Sequence, residues 1–368
     1  MRVQLCLSLF LSMVACQKEI EEPDEVVTLG SVTSKGAFAV GTFEDAFVDS
    51  TGVEIPVQAW YPTQDQEGIA VTYDDIYPGE SWEFSQPSCE QIRPVVMFSH
   101  GNSGIRWQTA FLMDFLASHG FVVVGMDHVT NTFLDQDYSK FSNHVLQRPR
   151  NVRESFDWLV GQSDDAESPL AGCVSEEAGY AVMGHSFGGY TTYVTAGATL
   201  SIASLESYCD NGGSAACEIL SLWREDHPDS TEIDLGDDRV WAAIGLAPWD
   251  AYGILGGGMS VLDVEVLTLT GVEDETTPVA MVDGIVEGMG THPNAYGKMI
   301  DTGHFSFSPI ACQAMTGDGC GDAYLDLETV KDLTNQSVTS FLGRALGWQG
   351  AAEQFPVESE YLLWESLD

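Results

Sequence analysis

The chain has 368 residues, enough for one large domain or two small ones, and its 44% hydrophobic content excludes wholesale disorder. Its 56 acidic against 14 basic residues give a formal charge of −42. Nucleic-acid phosphates are bound through Lys and Arg, so this balance excludes a nucleic-acid partner; it describes a heavily solvated acidic surface, with calcium on acidic loops as the functional alternative.

The N-terminus MRVQLCLSLFLSMVACQKE places Arg2 before an apolar stretch from about Val3 to Ala15. That is the layout of a secretory signal, too short to span a bilayer with margin. Met13-Val14-Ala15-Cys16 resembles the lipobox of bacterial lipoproteins, so a signal at 1–16, lipidation of Cys16 and membrane attachment of an exported protein are expected. The simpler alternative is cleavage nearby and release as a periplasmic or secreted protein. An acidic flexible tether is expected over 17–35 and one catalytic domain over 36–368.

Residues 36–64 alternate apolar and polar around Asp49-Ser50-Thr51-Gly52, which predicts an antiparallel hairpin at a sheet edge. Beyond a polar, aromatic-rich excursion to Arg93, continuous apolar runs alternate with helical segments. PVVMFSH (94–100) and FVVVGMDH (121–128) predict strands, with helices over 106–120 and 151–161. GYAVMGHS (179–186), VWAAIGLAP (240–248), EVLTLTG (265–271) and GKMIDTG (297–303) predict four more strands. Strands buried on both faces need such continuous runs, so the expected fold is α/β, a mostly parallel sheet with helices on both faces.

Cysteines follow the export reading. Without Cys6 and Cys16, six of the eight remain, and an even number in an exported chain reads as disulfides. Cys209/Cys217 and Cys312/Cys320 each bracket a short Gly/Asp-rich loop, so local pairing is the simplest arrangement and leaves Cys89 with Cys173. The first of these loops lies in an insertion around 201–236. No pair has the spacing of a structural zinc site, and Asp318, Asp322 and Asp326 lack the register of an EF-hand loop, so no metal is assigned.

The chemistry centres on Gly184-His185-Ser186-Phe187-Gly188, a G-x-S-x-G motif between an apolar strand and a small-residue helix. That is the setting of a nucleophile elbow, with Ser186 as nucleophile. His185 leaves the chain in another direction from its neighbour and is expected to pack beneath the elbow. Acid and base should follow the serine from later strand ends. Asp274 in Val272-Glu273-Asp274-Glu275-Thr276-Thr277-Pro278 and His304 after GKMIDTG satisfy that order, and Asp250 in APWDAYG is the alternative acid. The N–H groups of Phe187 and of Asn102, in the loop SHGNSG (99–104), are the candidate oxyanion donors. Trp107 and Trp249 are candidate walls of an acyl pocket. No cofactor is called for.

FSHGNSG, ASHGFVVVGMDHVTNT, GHSFGGYTT and TGHFSFSP together resemble the α/β-hydrolases that include platelet-activating-factor acetylhydrolases, predicted dienelactone hydrolases of bacteria and cutinase-like polyester hydrolases. The resemblance runs from about residue 36 to the end and takes in PVQAWYPT (56–63) and the Cys-bracketed CDNGGSAAC (209–217). It implies an α/β-hydrolase fold and a serine carboxylic-ester hydrolase that acts on small-molecule or lipid esters; no protein partner is inferred. Dienelactone hydrolases use a cysteine where this chain has Ser186. The acetylhydrolase branch takes its acid one strand earlier, at Asp250, whereas GVEDETTP is similar to the polyester-hydrolase branch and favours Asp274. The alternatives are a phospholipase A2-type acetylhydrolase, a polyester or lipid hydrolase and, from another class, a catalytically silent hydrolase fold serving as a surface lipoprotein.

Overall fold

The computed structural model describes residues 27–251, 253, 255–290 and 294–367. The signal at 1–16 with Cys16 and the tether as far as residue 26 lie outside the described residues. Residues 27–35 correct the predicted tether, because Leu29 and Val32 are buried against Ala351 and Trp348. Backbone bonds of 2.9 Å from Leu29 N–H to Gln349 O and from Gln349 N–H to Val27 O tie this segment to the C-terminal region.

Strand β1 (Ala39–Val48) pairs antiparallel with β2 (Glu54–Thr63) along its whole length. Their turn is set by Asp49, whose Oδ1 accepts the N–H groups of Thr51 and Val53 at 2.8 and 2.9 Å, while Gly52 takes φ +85°. β3 (Ile69–Tyr73) and β4 (Tyr77–Glu83) form a second hairpin within the predicted polar excursion. Then come β5 (Val95–Ser99), α1 (Ala110–Ser118), β6 (Val122–Met126), α2 (Phe141–Asp164), β7 (Tyr180–His185) and α3 (Phe187–Thr195). The Cys-bracketed insertion is built from β8 (Leu200–Ser201), α4 (Ile202–Asp210), α5 (Ser214–Asp226) and β9 (Glu232–Ile233). The chain closes with β10 (Val240–Leu246), α6 (Leu255–Gly258), β11 (Glu265–Gly271), α7 (Val279–Gly288), β12 (Asn294–Met299), α8 (Leu327–Ala345) and β13 (Leu362–Leu367).

The eleven-stranded sheet has the order β13-β12-β11-β10-β7-β5-β6-β2-β1-β4-β3. The predicted hairpin β1–β2 joins its antiparallel end, and β3–β4 takes the rim beyond it. The six strands that fill the middle, β12, β11, β10, β7, β5 and β6, pair in parallel, β8 and β9 form a separate antiparallel pair, and every residue of β5, β6 and β7 is buried. Alternate residues face two cores. Val95 and Met97 pack with Val152 and Phe156 of α2 and Tyr190 of α3; Val96 and Phe98 pack with Leu112 and Leu116 of α1 and Phe341 of α8. Helices therefore cover both faces, as expected.

From β5 the chain first adds β6 on one side, then crosses back and adds β7 and β10 on the other. The crevice beyond the carboxyl ends of β5 and β7 is thus a topological switch point, where ligands of such sheets bind. The predicted helix 151–161 is the latter half of α2, which runs through Pro149. A proline leaves the carbonyl four residues back without its helical partner. Here that carbonyl, of Val145, accepts the Tyr190 hydroxyl at 3.1 Å. The sulfurs pair as expected: Cys89–Cys173, Cys209–Cys217 and Cys312–Cys320, with Cα separations of 4.6, 4.9 and 5.1 Å.

Candidate active site

Ser186 stands at the end of β7 with φ 57° and ψ −117°, a strained conformation for a residue with a Cβ. Its backbone is held from both sides, Ser186 N–H donating to Leu246 O at 2.9 Å and Trp249 N–H to Ser186 O at 2.9 Å. The flanking glycines are a steric requirement. A Cβ on Gly184 would run into the Gly188 backbone, and one on Gly188 into the Ser99 carbonyl. Helix α3 starts at Phe187, and the first turn of a helix leaves its leading N–H groups without intrahelical partners.

The loop after β5 lies against the elbow. A Cβ on Gly101 would sit 3.4 Å from Ser186 Cβ. Gly101 N–H donates to Gln108 Oε1 at 3.1 Å, and Gly104 N–H to Gly101 O at 3.0 Å. Asn102 is exposed at the loop's tip, its Oδ1 accepting from Asn131 Nδ2 at 2.8 Å.

Asp274 and His304, both buried, come together beyond β11 and β12. His304 Nδ1 lies 2.9 Å from Asp274 Oδ2. With Nδ1 donating to that carboxylate, Nε2 is left as an acceptor. Thr277 completes the group: its N–H donates to Asp274 Oδ1 at 2.6 Å, and its Oγ1 is 2.8 Å from Asp274 Oδ2 and 3.0 Å from His304 Nδ1. Asp250, the alternative acid, is half-buried in the turn after β10, where its carbonyl accepts Leu255 N–H at 3.1 Å.

His185 does more than pack. Gln108 Nε2 donates to its Nδ1 at 2.9 Å, and its Nε2 donates to the carbonyl of His304 at 3.1 Å. Through Gln108 it joins the 99–104 loop to the His304 loop. Burial, and next the neighbouring His304 imidazole, push its pKa well below the usual histidine range, so it stays neutral.

Trp107 is a correction to the predicted pocket. It has no exposed surface, its ring is stacked 5.8 Å from both Tyr73 and Tyr77, and its N–H donates to Asp74. Aromatic stacking on both β3 and β4 makes it core. Trp249 is half-buried beside the elbow, edge-on to Phe187 at 5.0 Å and to Phe141 at 5.8 Å.

Asp318, which the sequence offers only as a possible cation ligand, faces inward. Its Oδ1 accepts His304 N–H at 3.0 Å and Glu275 N–H at 2.9 Å, and its Oδ2 accepts Thr276 Oγ1 at 2.6 Å. Burial raises the carboxyl, but these hydrogen bonds outweigh it and hold its pKa below the usual carboxylate range. One side chain on the Cys312–Cys320 loop therefore ties the Asp274 loop to the His304 loop. Hydrogen bonds to a charged group are worth ~1.5–3 kcal/mol, so Asp318→Ala is expected to lower kcat about 10–100-fold on a soluble ester, with the melting temperature measured beside it. An unchanged kcat would show that the two loops hold their geometry without it.

Residues 88–207 match the family model described as PETase, PET hydrolase-like. Over 110 residues the chain is 37% identical to Cutinase 2 of Thermobifida cellulosilytica and to Cutinase cut1 of Thermobifida fusca. It is 36% identical to Cutinase est1 of Thermobifida alba over the same length. The aligned stretch is 30% of this chain and 34, 28 and 30% of those proteins, so the chain spans about a third of the length of the curated relatives it matches. The fold is the α/β-hydrolase fold, and the similarity to the cutinase-like polyester-hydrolase group covers the 99–104 loop and the Ser186 elbow.

Proposed function

We propose that the protein is an exported serine carboxylic-ester hydrolase of cutinase-like, polyester-cleaving type. Ser186 Oγ attacks the ester carbonyl as His304 Nε2 takes its proton, giving a tetrahedral oxyanion held by the N–H groups of Phe187 and Asn102. Collapse expels the alcohol, protonated by His304, and leaves an acyl-Ser186. Water, deprotonated by His304, then attacks the acyl group, and the serine departs with the proton. Asp274 keeps Nδ1 protonated and offsets the charge on the imidazolium.

One observation carries this reading: the buried pairing of His304 Nδ1 with Asp274 Oδ2 at 2.9 Å, on the strand-end loops that flank the Ser186 crevice. The same pairing favours the polyester branch over the acetylhydrolase branch, whose acid would stand at Asp250. Half-buried Phe141 and Trp249 beside the elbow suit an apolar or aromatic acyl group. Three disulfides support export, and the MVAC sequence at 13–16 supports anchoring through a lipidated Cys16.

The test is hydrolysis of p-nitrophenyl esters of graded acyl length, of a short-acyl phospholipid and of a polyester film. Activity on short to medium acyl esters with product release from the film is expected. Preferential cleavage of the phospholipid would shift the assignment to the acetylhydrolase alternative. Failure of a fluorophosphonate to label Ser186 in the folded protein would revive a silent surface protein.

A further inference from the structure

We propose that Arg148 is a positioning residue for ester hydrolysis: its buried guanidinium holds and polarises the Gly101–Asn102 peptide, whose N–H is the proposed oxyanion donor. This deepens the ester-hydrolase reading and rests on it. Arg148 lies on α2 and has no exposed surface. Its Nη1 donates to His100 O at 2.5 Å and its Nη2 to Gly101 O at 3.1 Å. Nε donates to Asn131 Oδ1 at 3.1 Å, and Nη2 bonds the same oxygen. The Asn131 amide in turn donates to Asn102 Oδ1, and the guanidinium carbon stands 4.2 Å from the centre of the Phe187 ring. One side chain thus supports the residues of both proposed donors.

The electrostatics are unusual. Buried charges are ordinarily paired with an opposite charge. Among the described residues Arg148 meets three neutral oxygens and an aromatic face; burial pushes its pKa down, and no carboxylate offsets that. His100, His128 and His144 stand around it, each driven below the usual histidine range first by burial and then by the Arg148 charge, so they add no anion and no second cation. A guanidinium does not give up its proton in a protein, so a fixed, uncompensated positive charge sits behind the loop.

The carbonyl of Gly101 has two further donors, His100 Nδ1 at 2.7 Å and Gly104 N–H at 3.0 Å. Carbonyl and N–H of one peptide unit are conjugated, so three donors on this oxygen make the Asn102 N–H a stronger donor. The guanidinium's own field adds to that effect in a site of low dielectric. Both contributions grow with the negative charge on the substrate oxygen. They therefore act on the tetrahedral state rather than on the neutral ester, and show in kcat more than in KM. Lysine cannot replace the fork, having one point charge where Arg148 bonds two successive carbonyls.

The experiment compares wild type, Arg148→Gln and Arg148→Lys for kcat and KM on p-nitrophenyl butyrate, for inhibition by a boronic acid that forms a tetrahedral adduct, and for melting temperature. Arg148→Gln is expected to stay folded, with kcat about 10–100-fold lower, KM within about threefold and boronate affinity falling in step with kcat. Arg148→Lys should recover several-fold of the lost kcat, because the charge returns without the fork. A kcat for Arg148→Gln within about threefold of wild type overturns the proposal, as does equal damage in both variants accompanied by a large loss of melting temperature, which is the mark of a purely structural role. A wild type without esterase activity overturns the underlying reading itself, before any Arg148 variant is compared.

Discussion

Ser186→Ala is expected to lower kcat on p-nitrophenyl butyrate by about 10⁴- to 10⁶-fold, the scale on which removal of a triad nucleophile acts. The substitution deletes one oxygen and leaves the His304–Asp274 pair, the 99–104 loop and the α3 N-terminus in place. Alanine has the same Cβ as serine, so the φ of 57° at this position is no harder to hold. The melting temperature should therefore move by no more than a few degrees, and fluorophosphonate labelling should vanish. KM is expected to change little, since the oxygen acts on the transition state and not on the bound ester. Activity within tenfold of wild type would remove Ser186 from the mechanism.

Asp274→Asn should cost about 10³- to 10⁴-fold in kcat, against less than about fivefold for Asp250→Asn. An amide at 274 takes away the anion that offsets the imidazolium. It also leaves His304 Nδ1, now 2.9 Å from Asp274 Oδ2, facing an NH₂ or an uncharged oxygen, so the ring can settle with its proton on the wrong nitrogen. Thr277 remains 3.0 Å from Nδ1 and can hold the ring in place without supplying charge, which keeps the loss in kcat rather than in folding. If Asp250→Asn instead gave the large loss, the acid would belong to the end of β10 and the comparison with the acetylhydrolase branch would be the right one. Parallel circular-dichroism melts separate either result from unfolding.

The buried parallel strands β5, β6, β7, β10 and β11 are legible because strands buried on both faces need unbroken apolar sequences, and Val95–Ser99, Val122–Met126 and Tyr180–His185 have them. β12 runs over Asn294–Met299 rather than the expected 297–303, because its NAYGKM has no such run, and the two-residue strands β8 and β9 are too short to show one. The rim hairpin β3–β4 is not legible, since it is partly exposed and its residues, such as Pro78, Gly79 and Glu80, carry no strand pattern. Trp107 departs from the expected pocket wall because closeness in sequence to a site loop says nothing about which way a ring turns; Tyr73 and Tyr77, about thirty residues earlier, decide that. The inward turn of Asp318 was hidden for a similar reason, as its partners Glu275 and Thr276 are reached only after the chain folds back through β12.

By itself, then, the sequence determined what depends on local geometry: the elbow whose glycines at 184 and 188 admit no Cβ, the buried strands, and the two disulfides that close eight-residue spans. Tertiary structure alone decided which carboxylate lies against His304, that Gln108 and His185 join two loops, and that Arg148 stands uncompensated behind a third. The physical reason is range. Backbone sterics and hydrophobic periodicity act over a few residues and are written in order along the chain, whereas hydrogen bonds and charges act over a few ångströms and do not register how many residues separate the partners.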